Sequence, residues 1–144
     1  MNSKLTHGQR MQMYRSAGNI VLVDFDGTIA DFQYPRMGPP IAGARDFLQA
    51  VKDRGLDIVL WSSRLSPQYR TLPERREMAR EMENWMRRNA MPFDDIDIGN
   101  FGKRLSLAYV DDRGIGAGLD VPWEHVLTRL DAIHDRELRR WEDR

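Results

Sequence analysis

The chain has 144 residues with 22 Lys and Arg against 22 Asp and Glu, so net charge does not steer it to nucleic acid or to an anionic membrane. It has no Cys, which excludes disulfides, thiolate metal sites and a thiol nucleophile. Apolar residues make up 41%, enough for one globular domain over 1–144; the opening stretch lacks the apolar centre of a signal peptide and no window reaches a membrane span, so a cytoplasmic protein with no membrane partner is expected.

Residues 1–18 are polar and weakly patterned, with Gly8 and Gly18 as breaks, and read as an arm or a short helix. Ile20 to Val23 form the short continuous apolar run of a buried parallel strand. Residues 29–41, "IADFQYPRMGPPI", carry three prolines and a glycine and predict a loop or small hairpin over the end of that strand. Ala44, Phe47, Leu48 and Val51 recur at helical spacing within 42–54, and Gly55 is the natural stop. A second buried strand, "DIVLW", covers 57–61.

A longer helix follows over 73–90. Thr71 and Glu74 make the sequence signature of a capping box, and Met78, Met82, Trp85 and Met86 form a stripe that belongs in a core. A third strand is expected near 94–98 and a fourth over 106–110, "SLAYV". After the glycine-rich "GIGAG" turn, Trp123, Val126, Leu127, Leu130, Ile133, Leu138 and Trp141 define a closing helix within 122–143. The alternation predicts an α/β fold: a Rossmann-like three-layer sandwich with a mostly parallel central sheet, a motif-bearing core over 19–113, and sites beyond the carboxyl ends of the strands.

What stands at those strand ends is a set. Asp24 and Asp26 follow the first strand, Ser62, Ser63 and Arg64 the second; Lys103 precedes the fourth, and Asp111, Asp112 and Arg113 follow it. Carboxylates converging on one edge repel unless a cation shares the site, and hard oxygen ligands suit Mg²⁺. Hydroxyls, Lys and Arg hold the oxygens of a phosphoryl group. In "DFDGT", 24–28, residues two apart point the same way, so Asp24 and Asp26 face one reacting centre while Phe25 packs behind them, and Gly27 permits the turn out of the strand. Such a pair can divide a phosphoryl transfer, Asp24 attacking phosphorus and Asp26 serving as acid and base.

These residues resemble the haloacid dehalogenase superfamily. "DFDGT" is similar to its first motif, Ser62 in "LWSSR" to its second, Lys103 to its third and Asp111-Asp112 to its acidic fourth, all in family order over residues 20–113. The resemblance implies Mg²⁺-dependent hydrolysis of a phosphate monoester through an aspartyl phosphate on Asp24. Asp26 would be the general acid and base, and Asp24, Asp26 through its backbone carbonyl, and an acid from Asp111 and Asp112 would form the metal site. Ser62 and Lys103 would serve catalysis; Gly27, Thr28, Ser63, Arg64 and Arg113 would face the substrate. The choices between Asp111 and Asp112 and between Ser62 and Ser63 stay open.

Contexts such as "DFDGTIADFQYP" and "YVDDR" are similar to the small capless members, and neither the stretch from Thr28 to Ala42 nor that from Ser62 to Lys103 holds a cap domain. The expected partner is therefore a phosphorylated small molecule or nucleic-acid end at an open site, with a homo-oligomer left open. "SSRLSPQYR" bears some likeness to the 3′-phosphatase domain of phage polynucleotide kinase, which makes nucleotides or nucleic-acid 3′-ends the alternative substrate class beside sugar phosphates.

Two other classes fit the sequence less well. A receiver domain places its acidic pair on the first strand and the phosphorylated Asp on a middle strand, whereas here the middle strand ends in Ser62-Ser63. A non-catalytic binding or regulatory protein of the same fold would not require the full set of catalytic residue types. The histidines at 7, 125 and 134 show no ligand spacing.

Overall fold

The computed structural model describes residues 5–99, 102, 104–112 and 122–142, without the side chains of 140 and 141. Lys103, Arg113 and the 114–118 glycine-rich stretch lie outside the described residues. The elements run α1 (His7–Ala17), β1 (Ile20–Asp24), β2 (Ala30–Gln33), β3 (Arg36–Pro40), α2 (Ala44–Asp53), β4 (Asp57–Trp61), a single 3-10 turn (Ser63–Leu65), α3 (Leu72–Arg88), β5 (Asp95–Ile96), β6 (Ala108–Val110) and α4 (Trp123–Glu142).

The central sheet has the order β5-β4-β1-β6 with every pair parallel, and β2 and β3 form a separate antiparallel hairpin. This is the predicted α/β, Rossmann-like layering, a parallel sheet flanked by helices. β1 sits in the middle because its run Val21-Leu22-Val23 is apolar on both faces, and all three are buried. Its register sets Val23 against Leu60 on one side and Val110 on the other. Asp24 therefore emerges between the ends of β4 and β6.

Val21, Val23, Ile58 and Leu60 join one core cluster with Phe47, Leu48 and Val51 of α2, Met82, Trp85 and Met86 of α3, and Leu130 of α4. The methionine stripe thus packs as a core stripe, with Met78 partly buried at its edge. Thr71 caps α3 as the sequence predicts: its hydroxyl accepts from the Glu74 N–H, and the Glu74 carboxylate accepts from the Thr71 N–H. In α4, Trp123, Val126 and Leu127 pack on the core with Leu130, whereas Leu138 is half exposed; the Trp141 side chain, expected in the same stripe, lies outside the described residues.

The sheet departs from expectation in length. β5 has two residues where 94–98 was expected, and β6 spans 108–110 rather than 106–110. The prolyl segment 29–41 resolves as the hairpin alternative. Its base is fixed to the core by the buried Trp85, whose indole Nε1–H donates to the Gly38 carbonyl at 2.9 Å while its ring meets Phe25 edge-on at 4.8 Å. The first segment is a helix, α1, started by a capping box of Thr6 and Gln9 that hydrophobic patterning does not reveal.

α4 closes on the start of α2. The Trp123 ring stacks on Phe47 at 4.7 Å, and its Nε1–H donates to the Ala42 carbonyl at 3.0 Å. Gly43 lies beneath that ring with φ +82, and an added Cβ would come within 2.7 Å of Trp123. Gly43→Ala combines a left-handed backbone with overpacking, so it should lower stability by about 2–4 kcal/mol, read from urea unfolding. A change below about 0.5 kcal/mol would mean that Trp123 is not seated there.

Candidate active site

The first strand ends in Asp24, and the chain turns at once. The Phe25 carbonyl accepts from the N–H groups of Thr28, Ile29 and Ala30, and the Gly27 N–H donates to the Ala30 carbonyl at 2.8 Å. This tight loop buries Phe25 fully and sends Asp24 and Asp26 to the same side, where both line a cavity of about 300 Å³ with Phe32, Tyr34, Ser63, Arg64, Tyr69 and Arg70. The alternation read from "DFDGT" is what the fold displays.

Asp24 is the most perturbed acid among the described residues. Burial pushes its carboxyl up to about 7, and the neighbouring Asp112 carboxyl adds to the rise; the Phe25 N–H and the Thr28 hydroxyl pull the other way. Thr28 is itself buried, its Oγ1 donating to Asp24 Oδ2 at 3.3 Å. Asp112 presses against Gly27, which at φ +76 has no side chain to block it. One Asp112 oxygen, Oδ1, is buried without a hydrogen-bond partner. Two carboxyls in contact, one raised in pKa and the other with an orphaned oxygen, form a donor set suited to a hard divalent cation.

Among the described residues no group of three or more His, Asp or Glu side chains gathers to hold an ion. Asp24 and Asp112 form a pair, and Asp111, one step beyond the Val23–Val110 register, lines a neighbouring cavity of about 200 Å³ with Asp24, Trp61 and Tyr109. The Asp26 carboxylate, on the same cavity wall, is held by a buried cation. Arg64 Nε and Nη2 donate to Asp26 Oδ2 and Oδ1 at 2.6 and 2.9 Å, with the Arg64 side chain 1% exposed.

Arg64 is therefore not the free phosphate-binding arginine that its position after β4 suggested. Its remaining donors reach the Pro35 and Arg36 carbonyls at 2.7 and 2.8 Å, and its guanidinium lies 4.8 Å from the centre of the Tyr34 ring. A guanidinium this deep must be paired and hydrogen-bonded, and the hairpin and Asp26 together supply the partners. No spacing rule could have found this: the partners lie far apart in sequence and meet only through the hairpin.

The remaining expected residues divide in the same way. Gly27 and Thr28 use their N–H groups to build the loop, so they shape the site rather than face the cavity. Ser62 is buried and its Oγ accepts from the Arg64 N–H at 3.1 Å, starting the 3-10 turn. Ser63, one residue on, lines the cavity with Asp24 and Asp26. Tyr34, Tyr69 and Arg70 stand in the sequence among the residues nearest the motifs that could bind substrate, and the structure puts them on the cavity wall; Phe32 carries no such signal in the sequence.

No protein-family model matches the chain, and no curated protein does. Among solved structures, a conserved protein from Bacteroides thetaiotaomicron is 27% identical, over 74% of this chain and 84% of its own, with a TM-score of 0.57. A structural-genomics target from Vibrio cholerae is 21% identical over 83% and 98%, with a TM-score of 0.45. Neither carries a stated activity. The likeness to the Bacteroides protein supports the layered α/β fold. Among the described residues no helix is long and apolar enough to cross a membrane.

Proposed function

We propose that the chain is a Mg²⁺-dependent phosphatase of the haloacid dehalogenase type, hydrolysing a phosphate monoester through an aspartyl phosphate on Asp24. The observation that carries the reading is the contact between Asp24 and Asp112, two half-buried acids, one with a raised pKa and the other with a buried oxygen lacking a partner, a pair that a shared cation would stabilise. Asp24 and Asp112 would hold Mg²⁺ with the main-chain carbonyl of Asp26, the bound ion neutralising the pair and polarising a phosphate oxygen.

The chain's own residues divide the rest. Asp24, held by the Phe25 N–H and the Thr28 hydroxyl, attacks phosphorus in line, and the ester P–O bond breaks. Asp26 takes up a proton from solvent and delivers it to the leaving oxygen, then takes one from the water that attacks the phosphoenzyme, which frees Asp24 and releases phosphate. To do so its carboxyl has to rotate out of the Arg64 fork, since both of its oxygens accept from that guanidinium. Ser63 offers a hydroxyl to the phosphoryl oxygens from the cavity wall. Lys103, which the resemblance pairs with the phosphate, completes the assignment by its place in sequence.

The covalent step gives a direct test. Quenching during turnover of para-nitrophenyl phosphate and β-glycerol phosphate should trap an acid-stable, hydroxylamine-labile phosphate on the peptide carrying residue 24. Turnover without such an adduct would point to direct attack by water, and no Mg²⁺-dependent turnover of any monoester would remove the reading.

Stability against pH offers a second prediction. Asp24 binds its proton more tightly folded, at about 7, than unfolded, at 3.8, so the metal-free protein should lose stability as pH rises from about 4 to 7 through this group and then level off. Mg²⁺ replaces that proton. Its stabilising shift in Tm should therefore be several degrees at pH 7.5 and small at pH 5, by differential scanning fluorimetry. An equal shift at both values would place the ion elsewhere.

A further inference from the structure

The cavity holding Asp24 and Asp26 has an unusual rim. Phe32 and Tyr34 on the hairpin and Tyr69 after the 3-10 turn line it while 61%, 53% and 78% exposed. Three large aromatic rings stand more than half exposed at the mouth of a site whose other lining residues, Asp24, Asp26, Ser63, Arg64 and Arg70, are polar or charged. The ring nearest the floor is also prepared. Tyr34 lies 4.8 Å from the buried Arg64 guanidinium, which fixes the hairpin through the carbonyls of Pro35 and Arg36, and the Tyr34 hydroxyl lies 3.5 Å from Arg70 Nη2. The rim therefore presents a positioned aromatic face beside Arg70, a partly exposed cation of the cavity wall.

We propose that this rim selects the organic part of the substrate, and that the substrate is a mononucleotide, its phosphate over Asp24 and its base stacked on the rings of Phe32, Tyr34 and Tyr69. The inference rests on the phosphatase reading only for the fate of the phosphate; the stacking is a binding property that can be measured without turnover. A flat heteroaromatic base has a π-face that stacks on such rings whatever its hydrogen-bonding edge, whereas a sugar phosphate offers them only hydroxyls. A single nucleotide is favoured over a nucleic-acid terminus because the cavity is small, about 300 Å³, and the chain's charges balance at zero, giving a polyanion no net long-range attraction.

The test compares ligands with one phosphate and differing organic parts. Binding of the four common ribonucleoside 5′-monophosphates and of ribose 5-phosphate to the Asp24→Asn protein, with Mg²⁺, is measured by isothermal titration calorimetry. At least one nucleotide should bind tenfold or more tightly than ribose 5-phosphate, and Phe32→Ala and Tyr69→Ala should each cut that preference by roughly three- to tenfold. Circular dichroism checks that these exposed positions leave the fold intact.

A preference below twofold overturns the proposal, as does a loss that falls equally on nucleotide and ribose 5-phosphate. A 3′-phosphorylated oligonucleotide binding more tightly than every mononucleotide, with steep salt dependence, overturns the choice of a single nucleotide. The two readings fail separately. Wild-type turnover of β-glycerol phosphate without base preference removes only the stacking, and base-selective binding without turnover of any monoester removes only the chemistry.

Discussion

Asp24→Asn should abolish turnover, lowering kcat by at least about 10³-fold, while making the metal-free protein more stable. An amide keeps the shape and accepts from the same donors, the Phe25 N–H and the Thr28 hydroxyl, but cannot attack phosphorus. The gain in stability follows from what the wild type tolerates. Near neutral pH the fold must hold either a protonated Asp24 or a charge beside Asp112, and a neutral side chain relieves both at a benefit of about 1–2 kcal/mol. That gain has a pH signature: it should shrink towards pH 5, where wild-type Asp24 is already neutral in the folded state. Urea unfolding at pH 5 and 7.5 reads it. A variant that is equally destabilised at both would show that Asp24 is a structural acid, and residual turnover near the wild-type rate would move the nucleophile elsewhere.

Arg64→Met should be the most disruptive single change at the site. Its side chain is 1% exposed and its Asp26 partner 11%, so removing the guanidinium leaves a largely buried carboxylate unpaired and two hairpin carbonyls without their donor. Breaking a buried pair from one side costs about 3–5 kcal/mol, a large share of what holds a domain of this size together. The second substitution separates causes. In Asp26→Asn/Arg64→Met no charge is stranded, and the double variant should recover a good part of the loss, giving a coupling free energy of about 1–3 kcal/mol in the cycle. Arg64→Lys keeps the charge but loses the planar fork that grips both Asp26 oxygens and the hairpin together, so it should resemble Met more than wild type. An Arg64→Met protein within 1 kcal/mol of wild type would mean the pair is not formed in solution.

Much of this molecule can be read from its sequence, and the exceptions have physical reasons. β1 and β4 announce themselves as apolar runs because both faces are covered, and α2 and α3 because one face is. α1 carries no such stripe, with only Ala17 buried, and its start lies in the Thr6–Gln9 box. β5 and β6 are short because sheet edges need little apolar sequence, which makes their bounds hard to read. At the site, the alternation of Asp24 and Asp26 was legible from period two. The partner each acid takes was not: Asp112 reaches Asp24 over Gly27, and Arg64 reaches Asp26 under the hairpin, through folding of distant segments that no local spacing encodes. Of the rim, Tyr34 and Tyr69 were legible as residues near the motifs that could bind substrate, whereas Phe32 was not, since its place beside them depends on how the hairpin folds.

The sheet order has a consequence for how the molecule comes into being. β1 is flanked by β4 on one side and β6 on the other, and residues 25–107 must leave the ribosome before the second flank exists. Until then a nascent chain carries Val21, Leu22 and Val23 with one edge of their strand unpaired, a template for pairing with another chain. Asp112 arrives with that same late strand. The acid pair is thus assembled by the step that closes the sheet, so a partly made chain holds its Asp24 in water, ionised and without its neighbour. Competence for chemistry and protection of the strand edge would then be acquired together, late in synthesis.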